Sequence, residues 1–541
     1  MKFIGFPGFL WYNQLMKNTD NLSLAQAENA ALKSKISELE ALVKWYEEQL
    51  RLSKHRQHGK SSEKTELPGQ FSLFNEAEVV ADKKAPEPGF EEVAGHKRKK
   101  RVGKRDEMYK DLPTEQIIHE LPEHERICLE CGNDIHACGH EVLRREIEVI
   151  PAQVKAVEHV QTVYSCRTCE QSAVDNPVPM VKSKVPAPVI PGSGVASPSL
   201  LSYIICNKYV LALPLYRQEQ EFERLGLTIS RQTMANWIIY VAAHWLKPIF
   251  ELLRTELLLN DILHADETTV QVIKEDGRTA KQESYMWLYR TATDVSRPAV
   301  LFEYQPTRSS SHPIRFLADY KGYLHVDGYQ GYKKLEAPGV TIVECWAHMR
   351  RKFHDALKAL EKADRANSPA NVGYEFCNRL FELERKYNED GLTPEQRHGR
   401  RVLESRPIAL EFFEWAMSQS AKSTTLAKSA FGKAVGYAVN QQKWLMNIYL
   451  DGRLAISNNL AETSIRPFAI GRNNWLFSYS ANGAASSAIV YSIVETAKAN
   501  DLVPFLYFKY LLENLPHNGN QRLYEFLPWT STVQELCKKP I

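Results

Sequence analysis

The stretch ILHADETTVQVI, residues 262–273, sets two acids inside an otherwise apolar run. Charged carboxylates are seldom buried without a partner, so such a run holds its acids for a purpose. β-branched residues dominate, and a strand places successive side chains on opposite faces. Ile262, His264, Asp266, Thr268 and Val270 then share one side, while Glu267 points to the other. Asp266 and Glu267 cannot both serve one compact site, and Asp266 needs an acid from elsewhere in the chain.

Four further segments read as strands: YMWLYRTA (285–292), PAVLFEY (298–304), GYLHVDG (322–328) and TIVECWA (341–347). In the third of these Asp327 falls at the strand's end, just before Gly328, where a carboxylate can leave the core and face a cleft. From Arg350 to about residue 450 the apolar period becomes helical, as in Phe376, Leu380, Leu383 and Tyr387. Strands first and helices afterwards describe an α/β domain with a large helical insertion. Beyond it, ISNNLAETSIRPF (456–468) offers Ser457 or Asn458 as a cap for a helix carrying Glu462 in its first turns. Two strand aspartates and a helix glutamate are hard oxygen donors suited to Mg²⁺. Spacing leaves alternatives open: Glu462 and Arg466 are four apart and suit a helix ion pair, and Glu495 in IVETAK is a rival third ligand.

The whole chain of 541 residues is too long for one core and is expected to divide into roughly three or four domains. With 44% hydrophobic and 25% charged residues, wholesale disorder is excluded. A net charge of +3 decides nothing about partners, but HKRKKRVGKR (96–105) concentrates seven Lys or Arg, a run suited to a polyanion or to a solvated arm. Residues 22–50 carry a heptad, with Leu22, Asn29, Ile36, Val43 and Leu50 at a and Ala25, Leu32, Leu39 and Tyr46 at d. β-branched residues at a and Leu at d favour a parallel dimer, the alternative being a helix packed on its own protein. We assign residues 20–52 to this coiled coil and 53–115 to a basic flexible linker. In LYRQEQEFERLGLTISRQTMANWI (215–238) a Gly226 turn and a Ser230 cap separate two apolar-periodic segments, the pattern of a helix-turn-helix or of any two packed helices. It lies in a helical region assigned to 195–260.

Nine cysteines include two CxxC pairs, Cys128 and Cys131 in CLEC and Cys166 and Cys169 in CRTC. Four thiolates on two knuckles suit structural zinc in a module over 116–180, and the use of cysteine for metal fits a reducing cytoplasm. Cys128, Cys131, His136 and His140 form a competing set, which leaves the second pair without a purpose. No stretch reaches the roughly 18 apolar residues that span a bilayer. The best, WIIYVAAHWLKPIF (237–250), is broken by His244, Lys247 and Pro248, and FIGFPGFLWY (3–12) lacks a following cleavage site for a secretory signal.

LHADET, HVDGYQGY, CWAHMRRKF, SNNLAETSIRP and GRNNWLF, in this order, resemble the transposases of the insertion sequence 66 family. The likeness runs from the heptad to the C-terminal helices, although residues 1–16 precede the point where a member is expected to begin. It implies a ribonuclease H-like catalytic domain of the Asp-Asp-Glu class, with Asp266, Asp327 and Glu462 binding Mg²⁺ or Mn²⁺. The expected fold is multidomain α+β: coiled coil, zinc ribbon-like module, catalytic domain over 261–483 with an insertion at about 355–450, and C-terminal helices over 484–541. Partners are expected to be the terminal inverted repeats and target DNA, further copies of the chain, and small companion proteins of the same element, in a bacterial cytoplasm. Arg350, Arg351, Lys352, Arg466 and Arg472 are candidate phosphate contacts, Trp475 a candidate base-stacking residue, and Lys97, Arg98, Lys99, Lys100 and Arg101 a basic DNA-binding arm. A DNA-binding protein without catalysis and a nuclease without strand transfer are the competing readings.

Overall fold

The computed structural model describes residues 26, 28–47, 49–50, 153–165, 180–336, 339–518 and 521–539. The zinc-ligand candidates Cys128, Cys131, Cys166, Cys169, His136 and His140 lie outside them, as do the arm residues Lys97 to Arg101. The chain divides into two compact units. One comprises Met1–Glu63, Ala187–Glu219 and Ser230–Cys537, and the other Lys64–Pro186, Gln220–Ile229 and Lys538–Ile541.

In the second unit, β1 (Val163–Ser165) pairs antiparallel with β2 (Met180–Lys182), and Gln161 reinforces the ladder by donating to the Ser183 carbonyl. In the first unit, residues 28–47 and 49–50 are helical, and Leu32, Ile36, Leu39, Val43, Tyr46 and Leu50 are each more than half exposed. Helices α1 (Pro198–Tyr209), α2 (Leu215–Arg224, of which residues from Gln220 on are assigned to the second unit), α3 (Arg231–Val241) and α4 (Lys247–Leu258) follow. Ser230 caps α3 by accepting from the Thr233 amide, and Gly226 ends the α2 segment with a φ of 79°, which only glycine adopts freely. No helix among the described residues is long and apolar enough to cross a membrane.

The sheet is built on β3 (Ile262–Lys274), flanked by β4 (Glu283–Thr291), β5 (Val300–Gln305), β6 (Gly322–Val326) and β7 (Val340–Glu344) in the spatial order β5-β4-β3-β6-β7. Pairing is antiparallel from β3 to β5 and parallel from β3 to β7. TIVECWA is strand only as far as Glu344: Cys345 is the N-cap of α5 (Trp346–Ala359), so the apolar run continues as a helix. β8 (Ser478–Ser480), with no signal of its own in the sequence, adds parallel to the far end of β3.

Between β7 and the helix carrying Glu462 stands the helical insertion: α5, α6 (Pro369–Glu389), α7 (Arg406–Ser420) and α8 (Ala430–Leu445). Its core is aromatic, with Trp346, Phe353, Phe376, Phe412 and Phe413 buried. Burying each such side chain is worth about 1.5–3 kcal/mol, enough to hold four amphipathic helices together. Then come α9 (Asn459–Trp475), α10 (Ala481–Ala499), α11 (Pro504–Asn518) and α12 (Ser531–Cys537). α9 packs on β3 and β4, while α10 covers the edge of the sheet. There the Phe302 amide donates to Ser492 Oγ (2.8 Å) and the Val300 amide to Thr496 Oγ1 (3.0 Å), so hydroxyls on a helix satisfy a strand edge that would otherwise invite another chain.

Candidate active site

Parallel pairing of β3 with β6 runs Ile262 to Tyr323, Leu263 to Leu324 and His264 to His325, a constant offset of 61. Asp266 lies two residues beyond this pairing on β3 and Asp327 directly follows the end of β6, so the same offset relates them, and Asp266 senses the Asp327 charge. Each aspartate is fixed locally. Asp266 Oδ1 accepts from the Glu267 amide (2.9 Å) and Asp327 Oδ1 from the Tyr329 amide (2.9 Å). A side chain on Gly328 would run into the ring and hydroxyl of Tyr437, which explains glycine directly after Asp327.

Glu462 arrives from α9, and the segment before that helix is held almost residue by residue. Leu454 O accepts from Arg401 (2.8 Å), Ala455 O from His325 Nε2 (2.8 Å), and Ile456 O from the Trp346 amide (3.0 Å). Asn458, fully buried, does most. Its Nδ2 donates to Ala265 O (2.8 Å), its backbone amide to Cys345 Sγ (3.1 Å), and its Oδ1 accepts from His264 Nδ1 (2.9 Å). The sequence suggested Ser457 or Asn458 as a helix cap. Asn458 occupies the N-cap position but its side chain makes no capping bond, because the neighbouring strand and histidine take both its donor and its acceptor. Arg401 is itself buried and paired with Glu384 through two bonds of 2.6 and 2.8 Å, which tie α6 to this return segment.

Burial pushes the Asp266 carboxyl well above the usual carboxylate range, and the neighbouring charges of Glu267, Asp327 and Glu462 push it further. These are like charges gathered from β3, the end of β6 and α9. Glu462 contacts His348 Nε2 and Arg351, each at 3.7 Å, rather than pairing with Arg466, and its Oε1 is buried with no hydrogen-bond partner. Glu495 stands apart: it pairs with Lys498 at 2.8 Å and is not among the charges Asp266 senses. Glu267 stays within reach of these charges, its carboxyl raised by burial and by Asp327, and it is held where the Tyr332 hydroxyl donates to it and Arg308 Nε donates at 2.8 Å. Behind the acids, His264 and His325 stack at 4.9 Å; burial pushes them down to about 4 and about 3, so both are neutral at pH 7.

The profile described as "Transposase IS66 family" matches residues 193–486, more than half of the chain. The chain belongs to that family. Three further IS66-related profiles match: the "IS66 C-terminal element" at 492–529, "Transposase C of IS166 homeodomain" at 45–117, and the "zinc-finger binding domain of transposase IS66" at 125–170. The last supports zinc binding and spans both CxxC pairs. Relatives of this IS66-family chain include three proteins of Sinorhizobium fredii, each named an uncharacterized protein. y4hP is 29% identical over 436 residues (77% of this chain, 75% of that protein). y4jD is 28% identical over 493 (87% and 91%), and y4qI 27% over 534 (95% and 93%). Membership implies a DNA-binding transposase.

The candidate DNA contacts of this transposase-family chain are distributed unevenly. Arg351 lies against the acids. Arg350 stacks on Phe381 at 4.3 Å, and Lys352 is exposed, 5.7 Å from the Tyr437 ring. Arg466 is half-buried on α9. Arg472 donates to Thr268 Oγ1 (2.9 Å) and to the Thr269 carbonyl, holding β3 rather than facing outward. Trp475 packs edge-on against Phe468 at 5.6 Å, with Lys208 5.4 Å from its ring. Sequence reasoning missed Asn458's clasp, the Arg308 and Tyr332 anchors of Glu267, and His348. The last had a signal, since Cys345 and His348 are three apart at a helix start.

Proposed function

We propose that this chain is a divalent-metal-dependent transposase of the Asp-Asp-Glu class, cleaving the ends of a mobile element and joining them to target DNA. The observation that carries the reading is the shared offset of β3 and β6 together with the three like charges that Asp266 senses. A sheet antiparallel on one side of β3 and parallel on the other supports a ribonuclease H-like domain.

The donor set fits hard divalent ions. Carboxylates crowded together, one with a buried unpartnered oxygen, are what a pair of Mg²⁺ or Mn²⁺ ions would neutralise. When bound, the ions activate the attacking oxygen and offset charge on the leaving oxygen of the phosphodiester. Asp266 and Asp327 would hold one ion, and Glu462 would help hold the second. Arg351, beside Glu462, is positioned to meet a phosphate. Asn458, His264 and His325 keep α9 against β3, so that Glu462 does not move between cleavage and joining. The neutral histidines add no positive charge behind the ions.

The exposed apolar stripe of the N-terminal helix supports dimerisation with a second copy, and the basic arm, zinc module and α2–α3 segment would grip the inverted repeats. The zinc ligands in this reading are Cys128, Cys131, Cys166 and Cys169. The test is Mg²⁺-dependent nicking and strand transfer on DNA carrying the element's own ends, with Asp266→Asn, Asp327→Asn and Glu462→Gln. Each is expected to abolish both steps. Wild-type-like activity in any one removes that residue, and cut ends without joined product reduce the protein to a nuclease.

A further inference from the structure

Cys345, His348 and Glu462 bring a thiol, an imidazole and a carboxylate to one point, with their ligand atoms all within 4.8 Å of one another. The grouping is built rather than accidental. Cys345 is the N-cap of α5, so Cys345 and His348 face the same side of the helix start, and α9 supplies Glu462 across from them. The thiol is fully buried and anchored by the Asn458 amide at 3.1 Å. A second observation points to a ligand: His348 Nδ1 and Glu462 Oε1 are both buried without a hydrogen-bond partner, and His348 Nε2 stops 3.7 Å from that oxygen, too far to bond. Tetrahedral zinc, with bonds of about 2.0–2.3 Å, separates its ligand atoms by roughly 3.3–3.8 Å. The imidazole–carboxylate gap already has this width, and the sulfur needs to close by only about 1 Å.

The geometry points to a zinc-selective site at Cys345, His348 and Glu462 that overlaps the proposed catalytic acids and, when filled, withdraws Glu462 from them. Thiolate with imidazole selects a borderline-soft ion such as Zn²⁺ over Mg²⁺, which takes oxygen donors. Three protein donors leave the fourth tetrahedral position to water. Micromolar zinc would then arrest a reaction that millimolar magnesium supports. Ion binding stands on the geometry alone, whereas the arrest rests on the proposed function.

The experiment is zinc content of the full chain after equilibrium dialysis against micromolar Zn²⁺ with millimolar Mg²⁺, for wild type, Cys345→Ser and His348→Ala. Cys345→Ser keeps an acceptor for the Asn458 amide, and the half-buried His348 gives a second variant that leaves the core intact. Each variant is expected to hold one zinc ion fewer per chain than wild type. The zinc concentration that half-inhibits Mg²⁺-supported cleavage is expected to rise by at least about tenfold, the loss ordinary for even an outer partner of a metal ligand. Equal zinc content in all three proteins overturns the site. A zinc difference accompanied by zinc-insensitive cleavage overturns the arrest alone. A zinc difference in a wild-type protein that never cleaves with Mg²⁺ upholds the site and sinks the catalytic reading instead.

Discussion

Removing the Asn458 side chain tests how Glu462 is held. Asn458→Ala leaves two buried groups without partners, His264 Nδ1–H and the Ala265 carbonyl, which it engages at 2.9 and 2.8 Å. Each unsatisfied group costs about 1–3 kcal/mol, and since the small space left can admit some relaxation, we expect a total near 3 kcal/mol. The assay is urea unfolding of the full chain followed by tryptophan fluorescence, which reports on the buried Trp287 and Trp346. A double-mutant cycle with His264→Phe isolates the bond itself, with an expected coupling of about 1 kcal/mol or more. Glu462 lies one turn beyond Asn458 and its amide donates to the Asn458 carbonyl at 3.2 Å, so Mg²⁺ affinity should fall in the same variant. Additive effects in the cycle, or an unchanged unfolding midpoint, would refute the idea that this amide clamps the third acid.

Three further outcomes follow from the structure. Arg401→Met leaves Glu384 buried and unpaired and should cost about 3–5 kcal/mol in the same unfolding assay, most of it recovered by adding Glu384→Leu. Glu344, buried beside Lys333 at 3.4 Å, has its carboxyl pushed up to about 8 by burial. The folded state therefore holds an extra proton between about pH 4.5, the ordinary value, and pH 8, and stability attributable to Glu344 declines as pH rises through that window, by at most about 1.4 kcal/mol per unit. Glu344→Gln should be stabilised relative to wild type at pH 8 and not at pH 4, and parallel pH curves would count against this. For the zinc module, Cys166→Ser should lose its bound zinc on mild chelation while His136→Ala and His140→Ala keep it; the reverse pattern assigns the compact knuckle.

Much of the sheet was legible because strands advertise themselves locally. ILHADETTVQVI reads as a strand and forms one, and the 61-residue interval between Asp266 and Asp327 equals the offset of the parallel pairing, whereas Glu267, which alternation sets on the opposite face, still raises Asp266 and is itself raised by Asp327. Glu462 was legible as an early helix residue but not as a partner of His348 and Arg351. The clasp was invisible for a physical reason. His264 and Asn458 are 194 residues apart, and an asparagine in a polar SNN run reads as a cap because local hydrogen bonds are the ones a sequence displays. Tertiary packing redirected that side chain. β8 escaped notice because three residues, SYS, carry no period, and they form a strand only because the end of β3 offers an unpaired edge. Cys345 looked like the last stretch of a strand, yet the chain turns into a helix there and the thiol becomes part of the site.

The most direct measurement of the central claim replaces magnesium with Fe²⁺ in the full chain and maps, by mass spectrometry, where hydroxyl radicals cut the polypeptide next to the bound ion. Cuts are expected beside Asp266, Asp327 and Glu462 together, all suppressed by excess Mg²⁺ and by Asp266→Asn. Cuts beside the two aspartates that leave the Glu462 region intact would contradict the gathering of three distant acids into one ion-binding pocket.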